Sequence, residues 1–434
     1  MGKYKNLFLF VLTICFTMLL ISCSNNKAPT AGEKGEDVNG QNESNEPEPF
    51  TLEIGVHFDE TMFKERFKDP IEEHFPYITV EQVPVFTYGR NDLEELFSSG
   101  KSPDFFFSIS QQDMEYFELD SDMDELLTKH NIDLSHVNEN LLDTLRARDK
   151  EGRLIAWPYE DTYYVLAYNK DIFDMFGEAY PSDDMTWEET IELTKKLTKE
   201  RDGVQYRGLD FADNVALSQL SVNMTDPDTG EVLLLDQPEF SQYLNLYKGL
   251  FDIPGQFEAG DMFNGDRFSN ERTTAMLVIN AQALNWYKDN ESLHYDIAAV
   301  PTWSDHPGVA PTGYLQTLTM NPNSKHKDDV MKIFNFFISD EYQTWMSRNG
   351  IGIVSDKKEV LKEFYKDYEN THDKNVPAIF KNSAAPPPER ISLWDGYVDL
   401  SIQKFYESNM DVNEFLRVTK EESEAKINEA KESE

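Results

Sequence analysis

Strand-like and helix-like segments alternate along the chain from Phe50 onward, and this alternation restricts the fold more than any other feature. Phe50-Thr-Leu-Glu-Ile-Gly-Val-His-Phe58 and Ile78-Thr-Val-Glu-Gln-Val83 carry apolar residues at a period of two, the spacing of a half-buried strand. Between them, Met62 to Phe75 sets Phe63, Phe67 and Ile71 on one face of an amphipathic helix. A second helix over Asp92 to Ser98 precedes Pro103-Asp-Phe-Phe-Phe-Ser-Ile109, whose unbroken apolar run suits a strand buried on both faces of a parallel sheet. Strand, helix and strand in turn is the pattern of βαβ units, so the expected class is α/β.

The pattern continues. Leu154 to Tyr159, Tyr163 to Tyr168, Val204 to Leu209, Ala275 to Ile279 and Tyr295 to Val300 read as strands. Thr186-Trp-Glu-Glu189 has a Thr followed three residues later by Glu, a capping box that opens a helix to Leu197. Lys327 to Ile338, Glu341 to Asn349 and Tyr397 to Ser408 are expected helices, and Thr419 to Glu434, nearly all Glu, Lys, Ser and Ala, a solvated helical tail. With 434 residues and no fixed-period repeat, the chain has room for two or three domains.

The N-terminus follows different rules. Lys3 and Lys5 precede an apolar run from Leu7 to Leu20. That run falls short of the ~20 residues needed to span a bilayer and reads as the core of a signal peptide. It ends in Leu20-Ile-Ser-Cys23, which resembles the bacterial lipobox, so residues 1–23 are expected to be a leader and Cys23 the lipidated mature N-terminus. The other reading is an ordinary secretory leader with a chance cysteine. Cys15 lies in the discarded run, which leaves no partner for a disulfide and no cysteine-based metal site. Residues 24–49 are polar and aperiodic and are expected to form a flexible tether. The 80 Asp and Glu against 40 Lys and Arg, net charge −40, exclude nucleic acid as a partner and exclude a polybasic membrane-surface module.

Several stretches, in order, carry a family resemblance. These are Pro103-Asp104; Ile155-Ala-Trp-Pro158 followed by Tyr168-Asn-Lys-Asp-Ile-Phe173; Thr186-Trp-Glu-Glu189 leading to Lys195-Lys-Leu-Thr198; and Glu271-Arg-Thr-Thr-Ala-Met276. After them come Ala298-Ala-Val-Pro301, Thr312-Gly313 and Asn321-Pro-Asn-Ser324, the last before the helix with Val330 to Phe337. Together they resemble the extracellular solute-binding proteins of ATP-driven importers, the sugar-binding group that includes maltose-binding proteins. The sequence departs from that pattern at Thr274, where the approach to Ala275-Met276 is commonly smaller.

The resemblance implies a two-lobed, periplasmic-binding-protein-like (type II) α/β fold with the ligand in the cleft between lobes. One lobe would take residues 50–161 plus 302–356, the other 162–301 plus 357–434. Tyr159 to Val165 and Trp303 to Thr312, aromatic, Pro-flanked and without helical periodicity, are the expected crossovers. A ligand touching both lobes would favour the closed arrangement, and an ABC permease would read that closure. A membrane histidine kinase is the alternative reader, and another polar solute, such as a peptide, the alternative ligand. The resemblance further implies a monomer, a carbohydrate ligand, a membrane contact through the N-terminal lipid, and no cofactor.

A pyranose offers an apolar face to aromatic rings and a belt of hydroxyls to polar side chains. Ligands in open α/β sheets bind beyond the carboxyl ends of strands. That rule selects Ser108, Ser110 and Gln111, Glu160 and Asp161, Asp210, Asn280 and Gln282, and Trp303. Trp394 is added because maltose-binding proteins carry a stacking Trp at the matching position. Trp157 and Trp187 are expected to be structural. The pair Glu160 and Asp161 would also suit a glycosidase, the enzymatic alternative. No His-Glu-x-x-His, phosphate-cradling Gly-rich loop or Gly-x-Ser-x-Gly motif is present, so the chain is expected to bind without turnover.

Overall fold

The structure is a computed structural model that describes residues 47–85, 90–211, 214–258 and 263–433. The expected leader, Cys23 and residues 24–46 of the expected tether lie outside the described residues. In chain order the strands are β1 (Phe50–Val56), β2 (Ile78–Pro84), β3 (Phe105–Phe107), β4 (Trp157–Glu160), β5 (Tyr164–Asn169) and β6 (Lys199–Arg201). They continue with β7 (Val204–Phe211), β8 (Thr274–Asn280), β9 (Tyr295–Ala298), β10 (Val309–Ala310), β11 (Gln316–Met320) and β12 (Ser383–Ala384).

Two five-stranded sheets form, one ordered β2-β1-β3-β11-β4 and the other β6-β7-β8-β5-β9. In the first, β1 is parallel to β2 and β3, with Phe50 opposite Ile78, while β11 runs antiparallel between β3 and β4. In the second, β7 and β8 are parallel and β5 runs antiparallel to both β8 and β9. Helices cover both sheets, as the strand and helix alternation requires. Phe63, Phe67 and Ile71 are buried along one continuous helical stretch, whose middle, Lys64–Lys68, is a π-turn. The capping box at Thr186 is present, with Thr186 accepting from the Glu189 N–H and Glu189 accepting from the Thr186 N–H. The buried Trp187 indole that follows it donates to Gln219 Oε1 at 2.7 Å.

Each sheet has its own apolar core. The first gathers β1 to β4 with Leu318, Phe334, Phe337 and Val360; the second gathers β5, β7 and β8 with the C-terminal Phe405, Phe415 and Ile427. Val360 therefore belongs with the first sheet, and Thr302 and Trp303 with the second. Thr302 bridges to Thr186 and Trp303 packs in the second core, so both sit opposite to the expected division at 302 and 357.

The C-terminal segment also differs from expectation. Val412–Ser433 is helical, as expected for Thr419 onward, but it starts earlier and is packed along one face instead of being solvated all round. Phe415, Thr419, Ser423 and Ile427, each four residues from the next, are buried as a stripe while the charged residues between them face out. Polar Thr and Ser in that stripe hid it from a hydropathy reading. The expected helix over Tyr397 to Ser408 begins later, at Ile402, after a 3₁₀ turn at Leu393–Tyr397.

Candidate ligand-binding site

The chain passes between the sheets at three places, and these passages meet. Only residues 161–163 separate β4 from β5. The Tyr163 hydroxyl donates to the Ile353 carbonyl at 2.6 Å, and the Tyr314 N–H donates to Thr162 Oγ1 at 2.6 Å. Gln282, just beyond β8, donates to the Asp161 carbonyl at 3.1 Å and accepts from the Tyr163 N–H. Gly313 and Gly352 press on this point: a Cβ at Gly313 would collide with the Thr162 carbonyl and Asp161 Oδ1, and one at Gly352 with the Asp161 carbonyl. Only glycine lets three backbones come so close.

Next to this junction, at the carboxyl ends of β1 and β3, lies a cavity of about 660 Å³. Its walls include His57, Ser108, Ser110, Gln111, Arg148 and Tyr314. Ser108 holds a left-handed backbone, φ 54°, and its N–H is tied to the Thr317 carbonyl at 2.7 Å. Such backbone strain in a non-glycine residue persists where surroundings enforce it, often at ligand sites. Ser110 caps the short helix Gln111–Tyr116, accepting from the Asp113 N–H and donating to Asp113 Oδ2 at 2.7 Å. Gln111 donates to the Arg148 carbonyl and so ties the loop after one helix to the start of another.

The expected acidic pair separates into two environments. Glu160 is buried and ion-paired to Arg66 at 2.5 Å, beside a Tyr159–Tyr342 hydroxyl pair at 2.7 Å. Its carboxylate is spent on holding the π-turn helix to β4. Asp161, 5 % exposed, sits in the junction itself with no hydrogen-bond partner for Oδ1 among the described residues. Burial pushes its carboxyl up to about 7; the Thr162 N–H opposes this and the neighbouring Glu160 charge adds to it. The expected pair is thus divided between an ion pair with Arg66 and a buried carboxyl in the junction.

Two expected site residues lie elsewhere. Asp210 is 0 % exposed, paired with Arg267 at 3.2 Å and accepting from Thr274 Oγ1 at 2.9 Å, inside the second sheet. Burial raises its pKa and Arg267 opposes the rise. Trp303 is 3 % exposed; its indole N–H donates to the Ala216 carbonyl at 2.8 Å and its ring faces Trp187. Both are core groups, since β7 continues to Phe211 beyond Asp210 and the chain turns inward after Pro301. Asn280 accepts from the Gln282 N–H at 2.9 Å and starts the 3₁₀ turn Ala281–Tyr287.

Trp394 is half-buried, with Lys431 Nζ 5.0 Å from its ring and Gly230 against its indole. The preceding residue, Leu393, accepts from Gln112 of the first lobe at 3.2 Å, so this turn reaches across to the residue next to Gln111. The wall residues that the sequence reading did not select include His57, Tyr314 and Arg148. His57 follows the end of β1, and the rule that selected Ser108 finds it too. Tyr314, largely exposed, follows the Gly313 already noted in a crossover. Arg148 carries no sequence signal, because only tertiary packing brings its loop to the cavity. On the second lobe, Trp286 is 78 % exposed at the end of the 3₁₀ turn and lines another cavity, of about 820 Å³, with Phe263 and Asn264.

Comparison with known proteins places this geometry. The chain is 22 % identical over 354 residues to the melibiose/raffinose/stachyose-binding protein MelE of Bacillus subtilis, covering 76 % of this chain and 77 % of that one. Among solved structures, a sugar transporter from Rhizobium etli in an open conformation superposes with a TM-score of 0.70 at 16 % identity, over 87 % of this chain and 99 % of the other. A cyclic alpha-maltosyl-1,6-maltose binding protein from Arthrobacter globiformis gives 0.69 at 18 %, over 87 % and 98 %. An ABC substrate-binding protein of Listeria monocytogenes in complex with cycloalternan gives 0.67 at 17 %, over 88 % and 100 %. These likenesses establish the two-lobed α/β fold. The family model of the bacterial extracellular solute-binding proteins matches residues 61–344, and the chain belongs to that family.

Proposed function

We propose that this protein is a lipid-anchored extracytoplasmic receptor that captures a sugar or oligosaccharide between its lobes and delivers it to an ABC permease. The observation that carries the reading is the position of the cavity: about 660 Å³ at the carboxyl ends of the strands, beside a junction where three crossovers meet. That volume lies within the ~300–1,000 Å³ usual for small-ligand sites. A ligand bound there and touching the second lobe stabilises the closed form by its differential affinity. The sugar-binding relative and the sugar-binding structural neighbours support a saccharide as ligand.

Within this reading, residues 50–161 and roughly 304–361 form one lobe and the remainder the other. Ser110 and Gln111 meet the sugar hydroxyls, Tyr314 and Trp394 its apolar face, and Asn280 and Gln282 hold the far side of the junction. Cys23 carries the lipid, residues 24–49 hold the body away from the membrane, and the protein works as a monomer without turnover.

The test is ligand-induced stabilisation of a soluble form starting near residue 50, across mono- and oligosaccharides. A binder present at a hundred times its Kd adds about 2.7 kcal/mol and raises the melting temperature, with the sugar recovered unchanged. No stabilisation by any member of a broad panel would refute the saccharide reading, and release of a cleaved sugar would refute the receptor reading.

A further inference from the structure

Among the described residues, the cavity holds a cation without a counter-ion. Arg148 reaches its wall half-buried, and among the described residues its guanidinium has no carboxylate partner and no side-chain hydrogen bond. This is unusual in a chain with 80 carboxylates and 40 Lys and Arg. Of the acids on adjoining elements, Asp161 is held in the junction and makes no ion pair with Arg148, and three others are committed elsewhere. Asp149, the next residue, pairs with Arg153 at 2.6 Å; Asp113 is bound to Ser110 and lies 3.5 Å from Arg90; Glu160 holds Arg66. Burial lowers the pKa of the Arg148 guanidinium from the usual value, and the ionisable neighbour that opposes this is the Tyr314 phenol. An unpaired guanidinium withdrawn from water is costly unless something anionic reaches it. The remaining wall, with Ser108, Ser110, Gln111, Gln316 and Thr317, offers neutral hydrogen-bonding groups suited to hydroxyls.

We propose that the saccharide held in this cavity is acidic, and that Arg148 anchors its carboxylate. The planar fork of the guanidinium matches a hexuronate carboxylate through two parallel N–H···O bonds, while the neutral wall takes the ring hydroxyls. The local cation also answers a physical difficulty, because a body of net charge −40 repels an anionic ligand everywhere else. The inference rests on the saccharide reading above and adds the ligand's charge to it.

Calorimetric titration of the mature chain with trigalacturonate, with raffinose and maltotriose as neutral partners, and with a sugar phosphate tests it. Trigalacturonate is expected to bind at least about 30-fold tighter than the neutral sugars, and more weakly as salt is added. Arg148→Gln should remove that preference by weakening trigalacturonate at least about tenfold more than the neutral sugars, with Arg148→Lys between the two. Neither variant should melt below the parent, since the Arg148 side chain supports no other, and Arg148→Gln should melt somewhat higher because it removes an unpaired charge. Neutral sugars binding as tightly as trigalacturonate, or Arg148→Gln weakening both alike, would overturn the acidic assignment and leave the saccharide reading standing. Preference for the phosphate would overturn the carboxylate. Binding of none of these would overturn the saccharide reading itself.

Discussion

Replacing Asp161 by Asn should stabilise this protein, and by an amount that grows with pH. The carboxyl lies where three crossovers converge, 5 % exposed, with Oδ1 unpartnered among the described residues. In the unfolded chain it ionises near 3.8; in the folded protein burial holds it up to about 7. Between those values the folded state keeps a proton that the unfolded state has released, so stability declines as pH rises through the window and levels off above it. A displacement of roughly three pH units corresponds to about 4 kcal/mol lost above neutrality. Asn keeps the shape, carries no charge and escapes the loss. Urea unfolding of both proteins in matched buffers cancels every other titrating group in the difference. The gain from Asp161→Asn should grow by about 2–3 kcal/mol between about pH 5 and about pH 8, as a shift in midpoint at constant slope. A gain that is flat with pH, or a loss throughout, would show that the carboxylate is satisfied in the folded protein and that the reasoning is wrong.

Two further outcomes follow from the same geometry. Arg66→Met strands the Glu160 carboxylate in the interior and should cost about 3–5 kcal/mol in chemical unfolding, most of it recovered when Glu160→Leu is added; a cost below about 1 kcal/mol would mean the pair is solvated. Trp303→Ala should cost about 3–5 kcal/mol with saccharide affinity changed only through stability, whereas Trp286→Ala, at an exposed ring, should alter stability by less than about 0.5 kcal/mol; the reverse ranking in thermal melts would exchange their roles.

Much of the fold could be read in advance because one periodicity dominated. Phe63, Phe67 and Ile71 repeat at helical spacing, and β3 is a run of three phenylalanines buried on both faces. The capping box at Thr186 is a local device that depends on nothing distant. In the C-terminal helix the helical state is legible but the buried face is not, because its stripe uses Thr419 and Ser423, small polar groups that pack without registering as hydrophobic. The site was harder, because strand ends say where a ligand can lie and not which side chains remain free. Glu160 ends β4, Asp210 is the penultimate residue of β7 and Trp303 comes shortly after β9, so all three lie near strand ends as the rule asks. Arg66, Arg267 with Thr274, and the Ala216 carbonyl then engage them. Those partners are 94, 57, 64 and 87 residues away in sequence, beyond any local pattern. Arg148 is the converse case, a side chain with no motif that the fold leaves, among the described residues, without an ion-pair partner at a cavity wall.

The claim on which the rest depends is that ligand binding closes two lobes about the junction at Asp161, Gly313 and Gly352. Small-angle scattering of the soluble body, with and without a saccharide shown to saturate it, measures that closure directly. The radius of gyration should fall on saturation and return when the sugar is removed. Saturable binding with an unchanged radius of gyration would contradict the account.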